Sequence, residues 1–408
     1  MRNFIKTHRV LAASLGIGIL FLAVYARVFY YVPKLKPGEK KIGIVTTSTS
    51  FYQSHLFVYD QNLKLQRTKK MRFAGLGANF GRCPVVNGQL FLETTGIVSS
   101  KWNRIWDFPV IDLEKETICK YPVSHNTRLS AVAANSKYAY TISDFNFILT
   151  QHRLSDQKEI LKIKLPDGHL ELAAANENFL FLGFSSFGEG NLPPVQSMLI
   201  LNAHSLDQLA ELRIPTEKYG SFFRNEYLLT DEALYLPLPL SPEKPKPEKE
   251  PEQEKVQSLF PASDKKDEIY VYNSREIENS LNNKILKISL KDFSYSVIEL
   301  ARKAPRRIEK KGDLLFVIHE DSFYSDSYLT VYNEITGKQS IRTLKDLCFL
   351  NLMLSGDELY LIGTDNNTNY QYIYQYTMSD DCQFTLKKKQ RLNVDRREYI
   401  TSVYSYEK

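Results

Sequence analysis

Any chemistry in this chain has to come from a few short clusters. His319-Glu320-Asp321 with Asp326 places one imidazole and three carboxylates within eight residues. Carboxylate oxygens in such a loop suit a hard cation, calcium above all. The Asp-x-Asp-x-Asp-Gly spacing of a dedicated calcium loop is missing, so solvated loop acids are the simpler account. No cofactor is therefore expected, calcium being the one candidate. Lys101-Trp102-Asn103-Arg104-Ile105-Trp106 sets aromatic rings among bases, which suits stacking against a glycan or an anionic ligand. A pair made of one rim and one core tryptophan would look the same. Asp365-Asn366-Asn367-Thr368-Asn369 is rich in amides and reads more readily as a turn than as a sugar contact.

Motifs that carry catalysis on their own are absent. There is no His-Glu-x-x-His, no Gly-x-Ser-x-Gly and no phosphate-binding loop. Gly75-x-Gly77-x-x-x-Gly81 lacks the spacing and the strand–helix setting of a dinucleotide site and is expected to be a connector. The seven histidines are scattered, although a ring-shaped fold would bring distant ones together.

The elements that must hold these residues announce themselves by a turn signal returning about every 45 residues. Asn87-Gly88, Asn135-Ser136, Asn176-Glu177-Asn178, Asp231-Glu232, Gly312-Asp313 and Gly356-Asp357 each open an alternating apolar strand. A second strand follows and ends in a polar residue, as in Leu56–Asp60, Val110–Asp112, Leu199–Asn202 and Leu329–Asn333. Each repeat thus reads as strand a, tight turn, strand b, long loop, strand c, turn, strand d. Nothing beyond the leader sustains a helical period over three turns. Short strands at this period form a radial propeller. Counting Ile42–Thr46 as the first strand b gives seven blades.

The first unit begins at strand b, with no strand a before it. Tyr399–Tyr404 supplies the missing strand, so 399–406 is expected to close the ring and remove its open edge. The rhythm resembles bacterial extracytoplasmic β-propeller repeat proteins, akin to WD-repeat and quinoprotein-type propellers. The resemblance covers residues 40–408 and implies the fold alone. No Gly-His…Trp-Asp signature occurs, and Trp102 and Trp106 sit together instead of recurring blade by blade.

Residues 1–9 carry Arg2, Lys6, His8 and Arg9 ahead of an uncharged run from Val10 to Ala26, which resumes as Val28–Val32. Positive charge in front of such a run directs the following chain out of the cytoplasm. Cleavage after Val24-Tyr25-Ala26 would make it a signal peptide. The run exceeds the usual signal-peptide core of about 7–15 residues, so residues 10–32 are read as a transmembrane signal-anchor helix. Residues 33–40 then form a juxtamembrane linker and 41–408 the propeller. Much of the net charge of +6 lies in the leader and its flank, so no nucleic-acid partner is expected. An exported setting permits disulfides, and Cys83, Cys119, Cys348 and Cys382 pair off by proximity in sequence. Each couple would join the first and last strands of a blade, which are not neighbours, so two bridges and four free thiols both stay open.

Residues 240–267 form a Pro-, Glu- and Lys-rich insertion in the fifth blade, expected to be a solvated loop. It belongs to the face that collects the long b–c loops and d–a connections, together with Trp102, Arg104, Phe187, His319, Glu320, Asp321, Asp326 and Asp365. Variable loops on a rigid scaffold are where binding concentrates. The expected function is thus a membrane-tethered module outside the cytoplasm that binds an envelope protein or polymer. The alternative is an exported propeller hydrolase, lactonase-like or glycan-cleaving, with a metal at the central channel.

Overall fold

The computed structural model describes residues 42–48, 53–73, 75–77, 82–94, 97–98, 101–102, 107–124, 129–143, 146–186, 195–222, 226–242, 281–320, 326–379, 384–395 and 397–406. The first blade contains β1 (Ile42–Thr47), β2 (Ser54–Tyr59) and β3 (Leu65–Met71). The second runs β4 (Val85–Val86), β5 (Gln89–Phe91), a side ribbon β6 (Ile97–Val98) and β7 (Lys101–Trp102), then β8 (Asp107–Asp112) and β9 (Thr117–Pro122). The third is β10 (Ala131–Ala134), β11 (Tyr138–Ser143), β12 (Ile148–Arg153) and β13 (Glu159–Lys164). The fourth is β14 (His169–Ala175), β15 (Phe179–Ser186), β16 (Val195–Asn202) and β17 (Gln208–Ile214), followed by a single helical turn, α1 (Thr216–Tyr219). The fifth is β18 (Leu228–Leu229), β19 (Ala233–Leu240), β20 (Leu281–Ser289) and β21 (Tyr295–Glu299). The sixth is β22 (Pro305–Lys311), β23 (Leu314–His319), β24 (Ser327–Asn333) and β25 (Gln339–Leu344). The seventh is β26 (Leu347–Ser355), β27 (Glu358–Asp365), β28 (Tyr370–Met378) and β29 (Phe384–Arg391), and β30 (Tyr399–Ser405) ends the chain.

Six blades pair their four strands in chain order, while the first has the order β3-β2-β1-β30. The expected closure is therefore observed, with β30 antiparallel to β1 from Ile42↔Ser405 to Thr47↔Tyr399. Burial follows the strand position. The middle strand β11 is buried along nearly its whole length, whereas the outer strand β13 alternates between half-buried and exposed residues. Middle strands are covered on both faces by neighbouring blades and read as apolar runs, and outer strands meet water on one edge. Seven apolar clusters result, one at each junction between consecutive blades.

The third residue of strand b repeats as a fully buried aromatic: Phe91, Tyr140, Phe181, Tyr235, Phe316 and Tyr360. Phenylalanine and tyrosine alternate round the ring, and the tyrosine hydroxyls find polar partners, as buried hydroxyls must. Tyr140 donates to the Ala203 carbonyl in the next blade at 2.5 Å. Tyr235 donates to Glu334 in the next blade at 3.0 Å, and Lys287 and Lys310 hold the same carboxylate at 2.8 and 2.5 Å. Tyr360 donates to Glu358 and meets Gln375, whose amide reaches the Gln61 carbonyl of the first blade at 3.4 Å.

Only the first blade breaks this pattern. Each aromatic opposes a strand-c residue two positions before the one that starts the c–d turn: Phe91↔Val110, Phe181↔Ile200 and Phe316↔Val331, before Asp112, Asn202 and Asn333. By that register the first blade's residue is Gly43, opposite Val58 and two before Asp60. A Cβ on Gly43 would stand 2.0 Å from Cζ of Tyr404. The closing strand thus inserts the aromatic that strand b lacks, and glycine is required for the ring to fit.

The turn chemistry matches the sequence reading. Asp60, Asp112, Asn202 and Asn333 accept backbone N–H bonds from residues two to four positions on.

His152 is fully buried on β12, its Nε2 2.9 Å from the Thr141 hydroxyl and its ring packed edge-on to Phe108. Burial pulls its pKa down from 6.5 to about 4; Glu159 opposes this and Lys162 adds to it. A folded-state pKa below the unfolded one means the unfolded chain binds more protons between those values. The contribution is complete above pH 6.5 and is lost as pH falls toward 4. Between pH 7 and 4.5 the wild type is expected to lose about 2 to 3 kcal/mol more than His152→Leu does. Urea denaturation of both proteins at the two pH values measures the difference, and parallel acid losses would refute it.

Candidate functional site

Strand direction sorts the surface into two faces. The tight a–b and c–d turns lie on one, and the b–c loops and d–a connections lie on the other. Trp102 is on the loop face as expected, in a ribbon where Ile97 pairs with Trp102. Arg104, Phe187, Asp321 and most of the insertion (243–280) lie outside the described residues.

The acidic cluster is dispersed. His319 is not a loop residue: it ends β23, is 1% exposed, and has Nδ1 2.8 Å from the Lys303 carbonyl. Strand b runs on to His319 because Tyr328 still pairs with it across the ladder. Glu320 faces the Arg306 guanidinium at 3.7 Å, and Asp326 accepts the Asp346 N–H at 2.8 Å. Among the described residues no three His, Cys, Asp or Glu side chains gather in a way that could hold a metal. Asp365 ends β27 and holds the expected turn by accepting N–H bonds from Asn367 and Thr368, each at 3.1 Å. Burial pushes its carboxyl up, but the Lys389 ammonium at 3.1 Å and the turn hydrogen bonds outweigh this and leave it below the ordinary range.

Cys83, Cys119 and Cys348 are free thiols, and Cys382 lies outside the described residues. The first couple stays apart because Cys83 precedes the innermost strand of its blade while Cys119 sits on the outermost, β9. Burial, with help from Glu93, pushes the Cys83 thiol up to about 12; burial and Glu320 push Cys348 up to about 11. Both are protonated and poor nucleophiles.

Where β1 and β30 meet on the loop face, Glu398 is buried and collects three donors. Thr46 Oγ1 donates at 2.5 Å and Gln53 Nε2 at 2.7 Å, and His55 Nδ1 lies 2.9 Å away. These contacts fasten the start of the closing strand to β1 and β2. Beside them, between the seventh and first blades, Tyr370, Gln371, Arg391, Asn393 and Glu398 line a cavity of 720 Å³. Arg391 stacks on Tyr370, 3.3 Å from its ring centre.

A second cavity, of 1010 Å³, occupies the channel at the ring's centre and opens on the turn face. All seven blades line it. Asn87, Asn176, Thr230, Asp231 and Glu114 form its rim, and Val85, Val86, Leu228, Leu352, Met353 and Val403 its wall. Its floor is Arg82, Cys83, Tyr227, Arg307, Asn351 and Ser402. Arg82 belongs to the second blade and reaches Glu309 of the sixth at 2.8 Å, so an ion pair crosses the channel. Burial pulls the Arg307 pKa down, as do Arg82 and Arg306, against the opposing pull of Glu226 and Glu320. Tyr227 is raised to about 12 by burial and stays a donor. These residues are spread along the whole chain, so no spacing in the sequence could have pointed to the cup.

No protein-family model matches the chain, and no curated protein matches it. Among solved structures it is similar to the WD40 domain of Neurospora crassa Pan2, at 9% identity over 84% of this chain and 97% of that one, with a TM-score of 0.51. It is similar also to apo AztD from Citrobacter koseri, at 10% identity over 89% and 97%, TM-score 0.49. The computationally designed Ika8 protein shares 8% identity over 88% and 89%, TM-score 0.49. Identities this low speak to the fold alone. The likeness to the Pan2 domain and the seven four-stranded sheets agree: the chain is a seven-bladed β-propeller.

Proposed function

We propose that this protein is a membrane-tethered propeller outside the cytoplasm whose loop face binds an envelope protein or polymer. The observation that carries the reading is the polarity of the ring. Ile42 starts a strand b, and every strand b starts on the turn face. A chain arriving from the apolar leader therefore joins the ring on the turn face. The eight-residue linker, 33–40, spans at most roughly 28 Å. A tether that short turns the loop face away from the membrane, toward partners. Among the described residues no helix is long and apolar enough to cross a membrane, and the leader, residues 1–41, lies outside them.

Fractionation of intact cells tests the location. The full chain is expected in the membrane fraction at its uncleaved mass, with the propeller digested by protease added from outside. A propeller that stays protected, or that sits in the soluble cytoplasmic fraction, would overturn the proposal.

A further inference from the structure

We propose that the loop-face cavity between the seventh and first blades binds a polyuronate, an acidic polysaccharide with carboxylates on its sugar rings. The inference rests on the loop face being the binding face, and it names the chemistry of what that face holds. Thr368, Asn369, Gln371 and Asn393 line the cavity. All but Gln371 are exposed. Amides and hydroxyls both donate and accept hydrogen bonds, as the hydroxyls of a sugar require. Gln371 Oε1 is buried and receives no hydrogen bond from the described residues, a cost that a sugar hydroxyl would offset.

Arg391 sets the charge of the ligand. Asp395 and Glu398 also line the cavity, but both are already held. Arg397 bonds Asp395 at 3.1 and 3.0 Å, and Glu398 has Thr46, Gln53 and His55. Arg391 is exposed and stacked on Tyr370. A guanidinium fixed in this way offers its planar fork to a carboxylate through paired, charge-assisted hydrogen bonds. The acids beside it disfavour a more highly charged phosphate monoester.

Positive charge continues beyond the cavity. The outermost strands of the two blades, β29 and β3, carry seven lysines and arginines and no acid. The other five outermost strands together carry five against three acids. Lysines that only guard a sheet edge against pairing would be needed on all seven blades, so this concentration belongs to one sector. Lys387, Lys389 and Arg67 are paired with Glu358, Asp365 and Glu116. That leaves Lys70, Lys388 and Arg391 without a carboxylate among the described residues. Lys70 is the ladder partner of His55, which touches Glu398, so β3 brings its charge to the edge of the cavity. A chain leaving the cavity meets cations on both strands, which suits a polymer of repeated negative charge over a single sugar acid.

The experiment uses the full-length chain in neutral detergent and fluorescently labelled alginate oligosaccharides, read by fluorescence anisotropy. Alginate is expected to bind and to weaken as salt is raised, and neutral dextran is expected not to compete. Polyglutamate and single-stranded DNA of the same charge should compete at least about tenfold less well than unlabelled alginate. Arg391→Gln is expected to weaken binding at least about tenfold, while Lys158→Gln, an equal loss of charge on the third blade, leaves it unchanged. Asn393→Trp, at an exposed position, should block the cavity with the melting temperature held within about 2 °C, and it keeps the test decisive if Arg391→Gln does not fold. No binding of alginate, equal competition by polyglutamate or DNA, or equal losses from Arg391→Gln and Lys158→Gln would each overturn the proposal. A protein that binds alginate in this way yet fractionates with the cytoplasm would defeat the tether and leave this site standing. One found in the membrane that binds no alginate would do the reverse.

Discussion

A chain ending at residue 396 is expected to lose its cooperative thermal transition. Removing 397–408 strips six ladder pairs from β1, at about 1 kcal/mol per hydrogen bond. It removes Tyr404, 4% exposed between the first and second blades, and burial of such a ring is worth about 2 to 3 kcal/mol. Glu398 leaves with it, freeing Thr46, Gln53 and His55 from their shared partner. The sum exceeds about 5 kcal/mol, comparable with the whole stability of many domains. The loss also exposes the edge of β1, which invites aggregation. Circular dichroism during heating reads the outcome: a truncated protein that melts like the full chain would refute ring closure as the source of cooperativity.

The second large effect is expected at Gly43. Gly43→Leu drives a side chain into the buried Tyr404 ring, which belongs to the apolar cluster of Val45, Val58, Leu90 and Ile111. Overpacking of this severity costs about 3 kcal/mol or more. The decisive variant exchanges the pair: Gly43→Tyr with Tyr404→Gly places the aromatic on strand b, as in the other six blades. The exchange is expected to recover at least half of the stability lost by Gly43→Leu, measured as the midpoint of urea unfolding. A double variant no more stable than Gly43→Leu would show that the slot is not equivalent to those of the other blades.

The legibility of this fold follows the range of the interactions that make it. Turns such as Asn135-Ser136 and Asp60-Gln61 are decided by their own side chains bonding to nearby backbone, so the blade count and the missing first strand could be read directly. The alternation of Phe91, Tyr140, Phe181, Tyr235, Phe316 and Tyr360 has no fixed spacing in the sequence, and it emerges only when the strands are aligned and each ring is found between two blades. His319 shows the limit of a local reading. A polar residue followed by Glu320 looked like the start of a loop, yet its Nδ1 hydrogen-bonds to the Lys303 carbonyl and its ring is buried as the strand continues. The cup was illegible because Arg82 and Glu309 meet across 226 intervening residues. Such contacts are created by closure and leave no mark in any window of sequence.

Photocrosslinking in living cells tests the central claim most directly. A photoreactive amino acid is placed singly on the loop face, at Trp102, Asn366 and Asn393, and on the turn face, at Ile335, Asn87 and Asp231. One dominant crosslinked envelope protein or polymer is predicted from the loop-face positions and none from the turn-face positions. Crosslinks confined to the turn face, or no product from either face, would contradict a propeller that presents its loops to a partner.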